Sequence, residues 1–327
     1  MKCTDRRSVK VLPCVLLIAV CILSGCGQTY DMPYNTVSNV SSFNIVSRQN
    51  TKTAGSYASN LCVVKDDITV EGIDVGTAEA AVLFDLNNNR VIYSKNAHET
   101  LYPASLTKIM TAMVALKYGS LDQTLTATSS VNITEPGAQL IGLKVGDTMT
   151  LDQALRILLL YSANDVAMLV ADSVGGSVDN FVDMMNQEAR NLGATNTHFV
   201  NPSGLPDIEH KTTAYDMYLI FNEALKYETF NEIIQMTSYQ TTYYDKDGKT
   251  KDFDKSTTNR FLKGDFQAPS GVTVIGGKTG TTNAAGHCLI LLSRDVSGAP
   301  YISIILRAES SDQLYEGMIE LLDAIDN

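Results

Sequence analysis

The chain has few cysteines, no excess of positive charge and no apolar run long enough to span a bilayer, and each shortage removes a class of function. Of its six cysteines, Cys3, Cys14, Cys21 and Cys26 lie near the start, which leaves Cys62 and Cys288 for whatever folds. Those two could pair in an oxidising compartment, but no disulfide framework is implied and no Cys/His cluster has metal-ligand spacing. Neither a metal nor another cofactor is expected. The formal net charge is −11, and so acidic a chain is a poor partner for nucleic acid or an anionic membrane face. The apolar run Val11–Leu23 falls short of the about 20 residues that a spanning helix needs. No internal repeat is evident. Stability must therefore come from a packed core, which the remaining chain is long enough to build.

What the apolar run does suit is export. Lys2, Arg6, Arg7 and Lys10 form a positive head before it, so residues 1–25 read as a signal segment. The run closes on Leu23-Ser24-Gly25-Cys26, which resembles the lipobox of bacterial lipoproteins. That resemblance implies lipidation at Cys26 and a location on the outer face of the bacterial cytoplasmic membrane, held by acyl chains. An uncleaved signal anchor, or an ordinary signal peptide with an incidental cysteine, is the alternative. Loss of residues 1–25 would take the charge from −11 to −14. Residues 26–60 are rich in Ser, Asn, Thr and Tyr without period and read as a flexible tether. The folded domain is then expected over 61–327.

Within that domain, Ala80 to Asp85 and Arg90 to Ser94 flank three asparagines and predict a β-hairpin. Leu106, Ile109, Met110, Met113 and Val114 recur at helical spacing and predict a helix with a buried stripe. Thr150 with Gln153 has capping-box spacing before a helix over Leu151 to Leu160. A break at Tyr161 to Asn164 precedes a second apolar helix, and Ser177 opens a third that Gly193 stops. Thr213 with Asp216, and Thr229 with Glu232, are expected to cap two more. After about Thr237 the pattern turns to strands, with Asp247-Gly248 as a hairpin signal. Val272 to Ile275, Cys288 to Leu292 and Ile302 to Leu306 suit a sheet covered on both faces. A last helix carries Leu314, Met318, Leu321, Leu322 and Ile325. The order implies an α+β fold whose first and last strands meet in one antiparallel sheet.

Three short motifs carry the chemistry: Ser105-Leu106-Thr107-Lys108, Ser162-Ala163-Asn164 and Lys278-Thr279-Gly280. A helix sets Ser105 and Lys108 on one face. A hydroxyl beside an amine in apolar surroundings is one way to activate a serine without histidine, because burial favours the neutral amine. Alone, the pair reads equally as a core helix with one solvated lysine. The Ser-x-Asn pattern recurs at Ser42, Ser94, Ser130 and Ser162, and only the last interrupts two apolar helical runs. Lys-Thr-Gly follows a β-branched run.

In this order the trio resembles that of the penicillin-recognising serine enzymes. The segments Tyr102 to Ala112, Phe199 to Pro206, His210 to Asp216 and Gly277 to His287 resemble one branch closely, the low-molecular-mass D-alanyl-D-alanine carboxypeptidases. The likeness runs from about Thr77 to the C-terminus. It implies a β-lactamase/transpeptidase-like fold, an antiparallel sheet flanked by helices plus an all-helical lobe. It also implies a serine carboxypeptidase that removes the terminal D-alanine from peptidoglycan stem peptides and is acylated by β-lactam antibiotics. By the same resemblance Ser105 would be the nucleophile and Lys108 its base, while Ser162 would relay a proton to the leaving nitrogen. Asn164 would bind the acyl-side amide and Lys278 would hold Ser162. Thr279 and Thr281 would receive the substrate carboxylate, Gly280 would allow its close approach, and the N–H groups of Ser105 and Thr281 would form the oxyanion hole.

His210, His287 and Cys288 read as structural, and Asn259-Arg260 as added charge near the pocket. Many relatives carry a second β-rich domain and a C-terminal amphipathic helix; with Asn327 following the last predicted helix, attachment through Cys26 is expected instead. A serine β-lactamase and a non-catalytic cell-wall-binding lipoprotein are the alternative functions. Against the first, no Glu-x-x-Leu-Asn stretch lies between Ser162 and Lys278.

Overall fold

Ala80–Asp85 (β1) and Arg90–Lys95 (β2) pair antiparallel around the asparagine turn. Asn89 takes φ 50 there, and the Asp85 carboxylate accepts the N–H groups of Asn87 and Asn88. The computed structural model describes residues 60–325; the predicted signal segment, Cys26 and the tether to Ser59 lie outside the described residues. Among the described residues no helix is long and apolar enough to cross a membrane.

The main sheet adds Thr273–Thr282 (β7), Gly286–Arg294 (β8) and Pro300–Ala308 (β9), in the order β2-β1-β9-β8-β7. First and last strands meet as expected, with Val82 opposite Ile304. Both faces are covered. Val82, Phe84, Ile290, Ile302 and Ile304 enter the core under the helices, whereas Leu83, Leu289, Leu291 and Ile305 face the C-terminal helix Ser311–Asp323. That helix returns Leu314, Met318, Leu321 and Leu322, all buried, each contributing about 2 kcal/mol. The unbroken apolar runs follow from this double covering, since neither side of the pleat meets water.

The helical block consists of Thr107–Tyr118 (α1), Leu151–Leu160 (α2), Asn164–Gly175 (α3), Val178–Asn191 (α4), Ala214–Ala224 (α5) and Glu228–Ile234 (α6). Helix α1 lies at its centre, with every residue from Thr107 to Ala115 buried, so its apolar surface is no stripe but nearly the whole cylinder. The Thr150 capping box forms with both reciprocal bonds, and Ser177 and Thr213 accept the N–H groups expected of N-caps. Thr229 does not cap. Helix α6 begins two residues earlier than a Thr229 cap implies, at Glu228, with Tyr227 at the N-cap, which places Thr229 inside the first turn.

The helical lobe is not all helix. It carries a second antiparallel sheet of Thr124–Thr126 (β3), Thr148–Thr150 (β4), Ser238–Tyr244 (β5) and Thr250–Ser256 (β6). Only the β5–β6 hairpin is long enough to show periodicity in the sequence. Cys62 and Cys288 are both free thiols, buried apart in the core. Their sulfurs face the carbonyls of Asp85 and Ala285, each at 3.5 Å.

Candidate active site

Ser105 sits in a 3-10 turn, Ala104–Leu106, that leads directly into α1. Ala104 holds φ 47, a left-handed conformation that costs an alanine about 1–2 kcal/mol. Two glycines let neighbouring backbone press on this turn. A Cβ on Gly204 would lie 1.8 Å from Ala104 O, and one on Gly280 would lie 3.0 Å from Ser105 N. Gly280 thus brings β7 against the amide of Ser105, as close approach of a backbone requires.

One turn along α1, Lys108 is fully buried, and its Nζ lies 2.9 Å from Ser105 Oγ, 2.7 Å from Asn164 Oδ1 and 2.5 Å from Ser203 O. The two carbonyl oxygens can only accept. A neutral amine has two N–H groups to give them, and its one lone pair is then left for the Ser105 hydroxyl. Burial pushes the Lys108 amine well below its ordinary value, and the nearby Lys278 adds to this. The alternative of a solvated lysine is excluded by these contacts.

Ser162 occupies the break between α2 and α3 with φ 69, another strained position of the kind that gathers at functional sites. Its Oγ accepts from Lys278 Nζ at 2.9 Å, and the same amine donates to Thr279 O at 2.7 Å. Lys278 is also buried, and burial brings its amine down to about 7. The adjoining loop is tied in place by Asp165, whose carboxylate accepts the N–H groups of Ile141, Gly142 and Leu143. Asn164 N donates to Gln139 O at 2.8 Å.

A cleft of about 660 Å³ joins these pieces and is lined by Ser105, Ser162, Asn164, Thr279, Gly280 and Thr281 among others. Every site residue predicted within the folded domain therefore converges here: Lys108 and Lys278 lie beneath the floor and the rest on the wall. Thr279 Oγ1 is 2.6 Å from Thr258 Oγ1, and Thr281 Oγ1 is 3.3 Å from Nδ1 of His287, which also reaches the cleft. Arg260 borders it too, but its guanidinium is held by Asp312 at 2.6 Å and Asp265 at 3.4 Å, so it brings little free charge. Cys26 lies outside the described residues.

Several contributors were missed from the sequence. The Ser203 carbonyl holds Lys108; Asn201 Oδ1 accepts from Ser203 N and Gly204 N and so shapes that loop. Asp165 anchors the loop beside Ser162, and Thr107 contacts His210 at 2.8 Å. The Asn-Pro-Ser-Gly turn signal was there to find the first of them.

The arrangement offers a hydroxyl beside a buried amine, a second hydroxyl beside a second buried amine, and an amide N–H at the cleft wall. It is equipped to remove a proton from Ser105 and to return one through Ser162. The profile of a family described as D-alanyl-D-alanine carboxypeptidase matches residues 68–310. D-alanyl-D-alanine carboxypeptidase DacF of Bacillus subtilis (strain 168) is 33% identical over 251 residues, covering 75% of this chain and 61% of that protein. The D-alanyl-D-alanine carboxypeptidase of Streptomyces sp. (strain K15) is 30% identical over 245 residues, covering 70% of this chain and 82% of that protein. The crystal structure of the Streptomyces K15 DD-transpeptidase superposes with TM-score 0.71 at 28% identity, over 79% of this chain and 98% of that one. The match to DacF spans about three fifths of that relative's length.

Proposed function

The chain belongs to the D-alanyl-D-alanine carboxypeptidase family, and on that footing we propose that it is a serine DD-carboxypeptidase of peptidoglycan stem peptides, acting through an acyl-enzyme on Ser105. The observation that carries this reading is the fully buried Lys108 amine 2.9 Å from Ser105 Oγ, held low by burial and so poised to take the hydroxyl proton in its neutral form. Ser105 Oγ attacks the carbonyl carbon of the penultimate D-alanine while Lys108 takes the hydroxyl proton. The N–H groups of Ser105 and Thr281 receive the developing oxyanion, and Thr279 and Thr281 receive the terminal carboxylate. As the C–N bond breaks, Ser162, held by Lys278, passes a proton to the nitrogen of the departing D-alanine. Water then cleaves the Ser105 ester, releasing the shortened peptide and restoring the hydroxyl. Asn164 bonds the acyl-side amide.

Penicillin enters the same sequence, but its acyl-enzyme persists. Class A β-lactamases deacylate fast through an added glutamate and a water; no Glu-x-x-Leu-Asn stretch lies between Ser162 and Lys278, and Asp165, the acidic residue next to Asn164, is already occupied by loop N–H groups. This favours the carboxypeptidase over a β-lactamase. The test is D-alanine release from a pentapeptide ending in D-Ala-D-Ala, run beside penicillin hydrolysis on one preparation. The reading expects release with stoichiometric penicillin labelling. Rapid penicillin turnover without release would make it a β-lactamase, and neither activity would make it a binding protein.

The lipid anchor at Cys26 and the outer face of the cytoplasmic membrane belong to the same proposal, supported by the charged head, apolar run and Leu-Ser-Gly-Cys ending of residues 1–26. Metabolic labelling with a fatty acid tests it: label that survives Cys26→Ala refutes the assignment.

A further inference from the structure

Behind the Ser105 turn lies a buried relay that the reaction steps above do not use. His210 is 2% exposed. Val200 N–H lies 3.1 Å from His210 Nδ1, and a backbone N–H only donates, so Nδ1 is the acceptor and the ring proton sits on Nε2. Nε2 is 2.8 Å from Thr107 Oγ1, and that hydroxyl donates to Ala104 O at 2.8 Å. The direction of every bond is thereby set, from Val200 through the imidazole and the hydroxyl to the Ala104 carbonyl.

That carbonyl belongs to the same peptide unit as the Ser105 N–H. The unit is strained, with Ala104 at φ 47, and Gly204 is packed against its oxygen. A hydrogen bond to a peptide carbonyl polarises the unit and strengthens its N–H as a donor, the more so in a low-dielectric interior. The Ser105 nitrogen, at the other end, sits beside Gly280 on the cleft wall.

We propose that Thr107 and His210 are positioning residues that hold and polarise the Ala104–Ser105 peptide, so that the Ser105 N–H is fixed as an oxyanion donor. This rests on the reading of Ser105 as the nucleophile. It assigns Thr107 a purpose that core filling does not require, since a valine of the same shape would fill the space equally well.

Stopped-flow acylation of the full-length protein by a fluorescent penicillin separates non-covalent affinity from the acylation rate constant. Thr107→Val should lower the rate constant about 10- to 100-fold, with the non-covalent Kd changed less than about threefold, because the donor serves the transition state. Thr107→Ser should return the rate to within about threefold of wild type, and His210→Phe, which removes only the far end of the relay, should fall between. The Ser105 amide proton resonance should move upfield in Thr107→Val and His210→Phe but not in Thr107→Ser. A loss confined to Kd, equal losses in Thr107→Ser and Thr107→Val, or an unmoved resonance overturns the inference. Should Thr107→Val not fold, His210→Phe decides: wild-type rate with an unmoved resonance overturns it. A wild-type protein that takes no penicillin label overturns the nucleophile reading and the inference together, which separates that failure from the others.

Discussion

Lys278 Nζ lies 2.9 Å from Ser162 Oγ, joining strand β7 to the loop between α2 and α3 across the floor of the cleft. Lys278→Met keeps the stem and deletes the amine. D-alanine release should fall about 100-fold, with a melting temperature unchanged or raised, because a buried amine gives way to apolar packing. Wild-type kcat in this variant would remove Lys278 from the path of the proton.

Lys108→Arg tests the base. A guanidinium stays charged at any working pH and has no lone pair to offer. Acylation should drop by roughly three orders of magnitude, while circular dichroism stays close to wild type. Acylation at an undiminished rate would mean that another group accepts the Ser105 proton.

Burial holds both amines low, Lys278 at about 7. Below its pKa the Lys108 amine becomes ammonium and loses the lone pair that takes the Ser105 proton, so kcat/KM should decline towards acid pH. The limiting slope is about tenfold per pH unit for each proton that must be absent. Initial rates of D-alanine release between roughly pH 5 and 9 read this directly; a flat profile contradicts the neutral-amine mechanism.

His210 is held by burial at about 4, below its ordinary 6.5. The unfolded chain therefore binds the proton first as pH falls, and the folded state loses stability from about 6.5 downward. The full loss, reached below about pH 4, is on the order of 3 kcal/mol. Urea midpoints at pH 7 and near pH 4.5 should differ more in the wild type than in His210→Phe. Equal differences would place the acid sensitivity elsewhere.

Gly204→Ala should injure the site from behind. The added methyl would lie 1.8 Å from Ala104 O, at a residue with φ 83, so the Ser105 turn must move. A loss of about 100-fold in acylation is expected, since misplacement of about 1 Å carries a cost of that order. A melting point and acylation rate equal to wild type would show that the turn tolerates displacement.

The parts of this site legible in the sequence are those that depend on side-chain type at short spacing. Ser105 and Lys108 fall on one helical face, Thr150 and Gln153 form a capping box, and Lys278 follows a β-branched run. The illegible parts depend on backbone atoms or on distant partners. The Ser203 carbonyl serves Lys108, yet any residue supplies a carbonyl; its aim comes from Asn201 and Gly204. His210 reaches Thr107 across 103 residues, beyond any periodicity. Strands β3 and β4 are three residues each, too short to alternate visibly. Thr229 shows the opposite error, in which cap spacing exists and the helix starts earlier.

The pairing of β1 with β9 also dictates a timetable. The strand in the middle of the sheet is the last one to be synthesised, and Lys278 and Gly280 are placed by the β7–β8 pairing that it supports. Partial chains can form helices but cannot complete the sheet, so no half-made molecule carries a working cleft. So many contacts between distant residues make for slow folding. The cleft stays incomplete until β9, the last strand of this sheet in chain order, is in place.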